Sequence, residues 1–445
     1  MMIDRRGFIG GSVSAALALA ASGCAARAKR AGKRWYKGNL HTHTLVSDGD
    51  AFPVEAALLY RDLGYNFLMF SDHDLVHDHE LWVNEKNHRR HTFKQASAER
   101  FAKAYPAFSP RTRTDEGGIK TWHIGQFDET AAQVDVPGRF LLMSGCEYND
   151  AIEGRLQLHC QAINTRHDYK YQKCKTLQES YERQRAHFDR VTAGEDAVFA
   201  VNHPLWWLYD VDPLLLSERD ELQFFEVANS PARPDPAVVA RGAYDEDRIW
   251  DFALARRCRR GAQLLYGLAT DDTHSYGSFY DELAGKPGRR HGWVSVRCEE
   301  LSASAIVAAL RRGDFYASTG VDLEDVAFEG GRLSVRVKDG TADEYLIRFY
   351  GTKTGANLDD YDPGRLEPIT EIFRREGAKG VKIPRYVGTE RRIARLPADV
   401  GIVLQETVGA SASYALKPND LYVRAKVIRR ETGEVAWSQP FRRGS

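Results

Sequence analysis

The sequence lacks most of the usual pointers to function. It has no Cys-x-x-Cys pair, and 6 cysteines in 445 residues are too few and too scattered for a disulfide scaffold or a zinc ribbon. No Gly-x-Ser-x-Gly elbow and no phosphate-cradling glycine loop occurs, so the common serine-hydrolase and P-loop signatures are missing. Neither sign of charge is in excess. With 62 Lys+Arg against 62 Asp+Glu, no broad electrostatic pull on a phosphate backbone argues for nucleic acid as a partner. No internal repeat at a fixed period is present. A hydrophobic content of 43% with 28% charged residues instead describes a globular chain of about three domain lengths. Its 14 histidines fall largely in tight clusters.

Residues 1–30 are set aside as an address. Arg5-Arg6 precedes Gly7-Phe8-Ile9 and a weakly apolar Ala/Gly/Leu run to about Ala21, too short to span a bilayer permanently. The pattern resembles a twin-arginine export signal. Ala21-Ser22-Gly23-Cys24 resembles a lipobox with Cys24 as the lipidated residue, although Ala stands where Leu is usual; a rival cut follows Ala26-Arg27-Ala28. The expectation is an exported, periplasmic protein that meets the membrane only through this signal or a lipid on Cys24. In that oxidising compartment Cys146, Cys160, Cys174, Cys258 and Cys298 are an odd number, so at least one thiol stays free or pairs with another chain.

Beyond the leader a strand-then-helix rhythm sets in. Apolar runs at Trp35–Leu40, Phe67–Phe70, Phe140–Met143, Leu156–Ile163, Val198–Val201, Leu222–Val227 and Gln263–Ala269 predict seven buried parallel strands. Helical spacing follows in Val54–Leu63, behind Pro53, and in Leu177–Val191. Polar residues gather at the carboxyl ends of the strands, which favours an α/β fold of βα-barrel type over 31–320. Residues 75–135 are too long for an ordinary βα loop and predict an inserted lid or subdomain. From about Val321 the pattern alternates, as in Arg332–Val337, Tyr345–Tyr350 and Tyr422–Ile428, and predicts a β-sandwich over 321–445.

The strand ends carry ligand-type side chains. His41 and His43 are two apart on a strand and share a face, so both imidazoles can address one ion. Asp48 follows in Ser47-Asp48-Gly49, His73 in Ser71-Asp72-His73-Asp74, Glu147 after Gly145-Cys146, and then His159 and His203. Asp271-Asp272-Thr273-His274 closes the series with another i, i+2 pair. Any one of these pieces is weak alone, and His77 and His79 form a second His-x-His in the insertion. Their shared placement gives the set its weight. Imidazole and carboxylate together suit Zn, Mn or Fe, and nine donors are too many for one ion, so two or three divalent ions are implied.

The order HxH, SDG, SDHD, a lone Glu, a His, NHP and DxH resembles the PHP (polymerase and histidinol phosphatase) superfamily across residues 36 to about 275. That resemblance implies a distorted seven-stranded (βα)7 barrel with a trinuclear metal centre. Its ligands carry over to His41, His43, Asp48, His73, Glu147, His159, His203, Asp272 and His274, with Asp272 rather than Asp271 giving the DxH spacing. The tail motifs Arg311-Arg312-Gly313-Asp314-Phe315-Tyr316 and Ala436-Trp437-Ser438-Gln439-Pro440 resemble the exported carbaryl-hydrolase-like branch.

Such a centre predicts a hydrolase whose nucleophile is a metal-bound hydroxide, with no side-chain nucleophile. Three divalent ions carry more charge than three carboxylates return, so an anionic small molecule is the expected substrate and phosphoester hydrolysis the expected reaction. His77, His79, Arg89, Arg90, Trp206, Glu226 and Arg248 are the candidates for substrate contact, with Trp206-Trp207 able to floor a ring-binding pocket or to plug the seam between barrel and sandwich. Glu226 and Asn229, like Asp72 and Asp74, can instead orient a ligating imidazole. Carbamate or carboxylic ester hydrolysis at the same ions is the alternative reaction. A surface module that binds glycan or protein without catalysis is the alternative class.

Overall fold

The computed structural model describes residues 32–153, 156–206, 211–229, 245–286, 291–341, 343–371 and 390–444. Arg5-Arg6, Cys24, Ala28 and Trp207 lie outside the described residues. The chain is mixed α/β, dominated by one large mixed sheet. Among the described residues no helix is long and apolar enough to cross a membrane.

Strand β1 (Arg34–Asn39) leads to helix α1 (Pro53–Asp62), whose first turn takes Pro53 without losing a hydrogen bond, and then to β2 (Phe67–Phe70). The predicted insertion carries a small sheet and packs its apolar residues into the cluster that also buries α1 and β2. In it β3 (Leu81–Val83), helix α2 (Gln95–Ala104), β4 (Thr112–Thr114), β5 (Lys120–Ile124) and helix α3 (Phe127–Val134) supply a separate three-stranded sheet in the order β3-β5-β4.

The main sheet resumes with β6 (Leu141–Ile152), β7 (Leu156–Ile163) and β8 (Gln172–Cys174). Helix α4 (Leu177–Val191), capped by Thr176 Oγ1 on the Glu179 amide at 3.1 Å, precedes β9 (Val198–Val201). Helix α5 (Pro213–Glu218), β10 (Phe224–Asn229), helix α6 (Glu246–Arg260) and β11 (Tyr266–Thr270) follow. Helix α6 starts under an Asp245 cap and stops at left-handed Gly261, φ 71°.

The strand order β1-β2-β6-β7-β9-β10-β11 matches the seven predicted runs, with one correction. Strand β7 runs antiparallel to both β6 and β9, where a parallel strand was expected. A hydrophobic run reports burial and not direction, and only residues 153–155 separate β6 from β7, too few for the helical crossover that parallel pairing requires. Strand β6 also runs on to Ile152, past the predicted end near Met143. Beyond their strands the two ends of the run meet. Thr42 and Thr273 form a parallel bridge, with His43 N donating to Thr273 O at 3.0 Å and Asp272 N to His41 O at 3.0 Å.

Alternation divides the side chains of this run between two faces. Tyr36, Phe67, Met69, Met143, Ile163, Ala200, Phe224 and Leu268, from all seven strands, form one apolar cluster. Tyr148, Leu158, Phe199, Phe225 and Val227 face the other way and pack with α4 and α6, together with Cys146 and Cys160. Burying each large side chain is worth about 1.5–3 kcal/mol. The five described cysteines are all free, so the disulfide pairing considered for them is not formed.

Helix α7 (Gly277–Leu283), β12 (Trp293–Cys298), helix α8 (Ala303–Arg311) and β13 (Phe315–Ser318) continue the chain. Strands β14 (Leu323–Glu329), β15 (Arg332–Val337), β16 (Tyr345–Gly351), β17 (Leu366–Pro368), β18 (Glu390–Arg392), β19 (Ile402–Val408), β20 (Ser411–Ala415), β21 (Arg424–Arg429) and β22 (Val435–Ser438) complete it. Pairing runs without a break from β1 through β12 and β13 into β22, β21, β16 and β19, while β14, β15 and β20 form a second sheet.

A buried ion cluster fastens α6 to β21. Arg424, fully buried, places Nε and Nη2 at 2.8 and 2.6 Å from the two carboxylate oxygens of Asp251, and Nη1 at 2.8 Å from Asp247 Oδ1. Tyr422 donates to Asp251 at 2.7 Å, and Lys426 pairs with Asp247. Removing one member of a buried pair strands the other charge. Arg424→Ala is expected to cost about 3–5 kcal/mol of stability in urea unfolding, and a loss under 1 kcal/mol would contradict the role assigned to this cluster.

Candidate metal centre

Each strand end is held by hydrogen bonds before any ion is considered. Asn39 fixes the turn out of β1, its Nδ2 donating to His41 O at 3.0 Å and its Oδ1 accepting from Asp271 N at 3.1 Å. Buried Asp72 gathers the Ser47-Asp48-Gly49 turn. Its Oδ1 accepts from Thr44 N at 2.7 Å and Ser47 N at 3.0 Å, and its Oδ2 from Thr44 Oγ1 at 2.8 Å. Glycine is required after Asp48, because a Cβ at Gly49 would lie 2.4 Å from His43 O. Two expected ligands sit in left-handed backbone, His203 at φ 21° and Asp272 at φ 47°, a conformation that costs a non-glycine residue on the order of 1 kcal/mol or more.

All nine expected ligands converge. Glu147 is at the centre: its Oε1 lies 3.2 Å from His41 Nε2, 3.2 Å from His159 Nδ1 and 3.3 Å from His203 Nε2. Its Oε2 lies 2.9 Å from His73 Nδ1 and 3.4 Å from His43 Nε2. Asp272 Oδ1 is 3.0 Å from His43 Nε2, 3.4 Å from His41 Nε2 and 3.5 Å from His274 Nδ1. Asp48 completes the rim, 3.4 Å from His274 Nε2 and 3.6 Å from His73 Nε2. Seven of the nine are buried, and Asp48 and His274 are half-buried at the mouth.

His159 and His203 hydrogen-bond to Glu147 Oε1, but the short contacts of Glu147 Oε2 and Asp272 Oδ1 are not hydrogen bonds. Glu147 Oε2, Asp272 Oδ1 and His73 Nδ1 are all buried and make none, although each has a polar neighbour close by. Atoms that approach this closely with the wrong angles for donation direct their lone pairs at a shared point. A buried orphaned carboxylate oxygen is costly, and a cation at that point removes the cost. The donor sets agree: His43, Asp48, His73 and His274, then His41, His43 and Glu147, then His73, Glu147 and His159 each bring ligand atoms within 4.8 Å of one another and can hold a metal ion. His43, His73 and Glu147 are each shared between two of these sets.

The electrostatics carry the same demand. Burial pushes the Glu147 carboxyl up, but His41, His159 and His73 outweigh it and hold the group well below the usual carboxylate range. Asp272 is likewise held low against burial by His41, His43 and His274. The imidazoles respond unevenly. Burial drives His159 down to about 4, while Asp48 and Asp272 overcome burial at His274 and lift it to about 9. The acids therefore stay ionised, and protons or cations must balance them.

Glu226 lies behind this layer and is fully buried, so it has no path to a substrate, contrary to its place among the contact candidates. His41 Nδ1 lies 2.7 Å from its Oε1, which also accepts from Thr270 Oγ1 at 2.6 Å, and its Oε2 accepts from His203 N at 2.8 Å and Asn229 Nδ2 at 2.9 Å. This fixes His41 with Nε2 aimed at the cluster. Asn202 Nδ2 similarly donates to Glu147 Oε1 at 2.7 Å, a role that sequence reasoning missed. Its only signal was an amide side chain directly before His203. Asp271 faces away, accepting from Tyr60 Oη at 2.8 Å and Gly292 N at 2.6 Å, in keeping with Asp272 as the inward acid.

The other contact candidates divide. His77 is buried, 2.6 Å from Asp72 Oδ2 and stacked on Phe70, and so supports the Asp72 turn instead of reaching substrate. Arg248 donates to Pro397 O and Val400 O and ties α6 to the C-terminal region, away from the cluster. His79 is half exposed and 2.7 Å from Asp168. Arg89 and Arg90 are exposed in the insertion. Trp206 alone touches the cluster, its ring centroid 5.5 Å from that of His159 and 5.3 Å from that of His203.

No protein-family model matches the sequence. No curated protein matches it either. Among solved structures, the chain is similar to a two-domain protein from Bacteroides vulgatus containing a predicted PHP-like metal-dependent phosphoesterase, with 15% identity over 88% of this chain and 91% of that one, TM-score 0.37. It is also similar to a protein from Bifidobacterium adolescentis proposed to be a metal-dependent phosphoesterase, with 14% identity over 53% and 87% of the two chains, TM-score 0.25. An amidohydrolase from Chromobacterium violaceum with bound sulfate and no metal is similar at 15% identity over 57% and 97%, TM-score 0.26.

Exchanging Glu226 for Gln leaves the volume of the side chain but removes the charge that holds the His41 Nδ1 proton. The expected result is a loss of roughly 10- to 100-fold in metal affinity, measured by competition with a chromogenic chelator. Unchanged affinity would show that His41 needs no such support.

Proposed function

We propose that the chain is an exported, metal-dependent phosphoester hydrolase of the PHP kind, with a distorted barrel over 31–320 and a bracing β-sandwich over 321–445. What supports the reading most is the pair of buried orphaned oxygens, Glu147 Oε2 and Asp272 Oδ1, inside a ring of six imidazoles. That arrangement is stable around cations and wasteful without them. The nine donors favour two or three ions, and the mixture of imidazole and carboxylate favours Zn, Mn or Fe.

Such ions supply Lewis acidity and an activated water, which makes a side-chain nucleophile unnecessary. The protein's own residues do the rest. Glu147, reached by His41, His43, His73, His159 and His203, sets the spacing of the donors. Glu226 and Asn202 hold the ring orientation of His41 and the carboxylate orientation of Glu147. Three carboxylates leave a two- or three-ion centre positive, which draws an anionic group to the half-buried mouth at Asp48 and His274. Trp206 offers an aromatic face beside His159 and His203 for the ring of a leaving group.

Metal-loaded protein is expected to hydrolyse aryl phosphates or phosphodiesters, to lose that activity on dialysis against a chelator, and to regain it with Zn or Mn. Asp272→Ala is expected to lower turnover by at least about 100-fold and to reduce bound metal by elemental analysis. A panel that includes aryl carbamates decides the reaction. Activity confined to carbamates would reverse the assignment to phosphoesters, and activity in metal-free protein would remove the proposed catalyst altogether.

A further inference from the structure

Between β3 and α2 the insertion makes a tight turn that is pinned to the loop carrying Asp48. Buried His88 donates from Nε2 to Leu45 O at 2.9 Å, and Thr92 Oγ1 donates to Gly49 O at 2.9 Å, so the turn is fastened to carbonyls on both sides of that ligand. His91 N donates to His88 O at 3.1 Å, and His91 itself takes left-handed backbone, φ 58°, to close the turn. Phe93 then leads into the core, fully buried and edge to face with Phe52 at 6.2 Å between ring centroids.

The turn displays two cations. Arg89 and Arg90 stand consecutively between the two anchors and are exposed, and among the described residues their side chains have no ion pair or hydrogen bond. Arg89 is the one placed toward the centre. Its charge registers at the Asp74 carboxyl, which follows the ligand His73 in the chain and accepts from Asn149 N at 3.1 Å. Asp48, on the loop that anchors the turn, is 3.6 Å from His73 Nε2, so the turn and the His73-Asp74 segment bound the same side of the mouth.

That position decides what Arg89 can meet. The donors that would hold ions are buried or half-buried, and a scissile anion drawn to those ions lies among them. Arg89 stands outside, where it faces the part of a substrate that projects from the mouth. An unpaired guanidinium on a pinned turn selects an oxyanion, which it can grip with two parallel N–H groups.

We propose that Arg89 is a specificity-determining residue, and that the substrate carries a second oxyanion beyond the phosphoester held at the ions. The inference rests on the phosphoester reading above. Metal-loaded full-length protein is titrated by calorimetry with hexylphosphonate, which has no second anion, and with 6-phosphonohexanoate and hexane-1,6-diylbisphosphonate, which add a carboxylate or a second phosphonate to the same flexible chain. At least one of the latter two is expected to bind at least about fivefold tighter than hexylphosphonate, and the tighter one names the oxyanion. Arg89→Gln is expected to remove most of that difference, Arg89→Lys to keep part of it because the charge remains, and Arg90→Gln to change it less than Arg89→Gln does. Both residues are exposed, and melting curves check that the variants keep the fold. Equal binding of the probes, a preference indifferent to Arg89→Gln, or an equal fall in Arg90→Gln would each overturn this proposal and leave the metal-centre reading standing. Failure of every probe to bind the loaded protein would overturn both.

Discussion

Two carboxylate oxygens, on Glu147 and Asp272, have been taken out of water and given no hydrogen bond, and the architecture above them exists to make that tolerable. An uncompensated buried acid costs several kcal/mol, enough to consume a large part of a domain's net stability. Here the imidazoles of His43 and His73 crowd against Glu147 Oε2, and those of His41, His43 and His274 against Asp272 Oδ1. None of them could be placed by local structure alone. Each depends on strands far apart in sequence meeting at one rim.

The meeting is enforced by backbone. The bonds between His41–His43 and Asp272–Thr273 bring the first and last strands of the seven-strand run together at the rim, so the two His/Asp motifs from the ends of that run lie side by side. The antiparallel β6–β7 hairpin works in the same direction. It sets His159 opposite Asn149 and so carries it back toward Glu147, which a helical crossover would not have done at this chain length. Left-handed φ at His203 and Asp272 is local strain at the points where side chains must turn inward.

Much of this was legible in the sequence, and the residues that were not share a reason. Apolar runs located the seven strands, all but the far end of β6 to within a few residues, because burial is written in composition. The direction of β7 was not, since period and hydrophobicity are the same for either direction; the shortness of 153–155 was the overlooked signal. The inward placement of the nine expected ligands followed from their common position at strand ends. Spacing could not tell rim from interior for the rest. His77, Glu226 and Arg248 were candidates for substrate contact, Glu226 also for orienting a ligating imidazole; in the structure His77 pairs with nearby Asp72, while Glu226 and Arg248 meet partners far away in sequence, His41 and the carbonyls of Pro397 and Val400. Asn202 escaped notice because an amide has no motif of its own.

Cys146 and Cys160 sit on the strand faces turned away from the cluster, buried among apolar groups that push both thiols well above their ordinary pKa. With Cys174, Cys258 and Cys298 also uncrosslinked, no covalent bond between side chains holds the described fold together. Maturation of the described chain therefore does not wait for an oxidase or a disulfide isomerase.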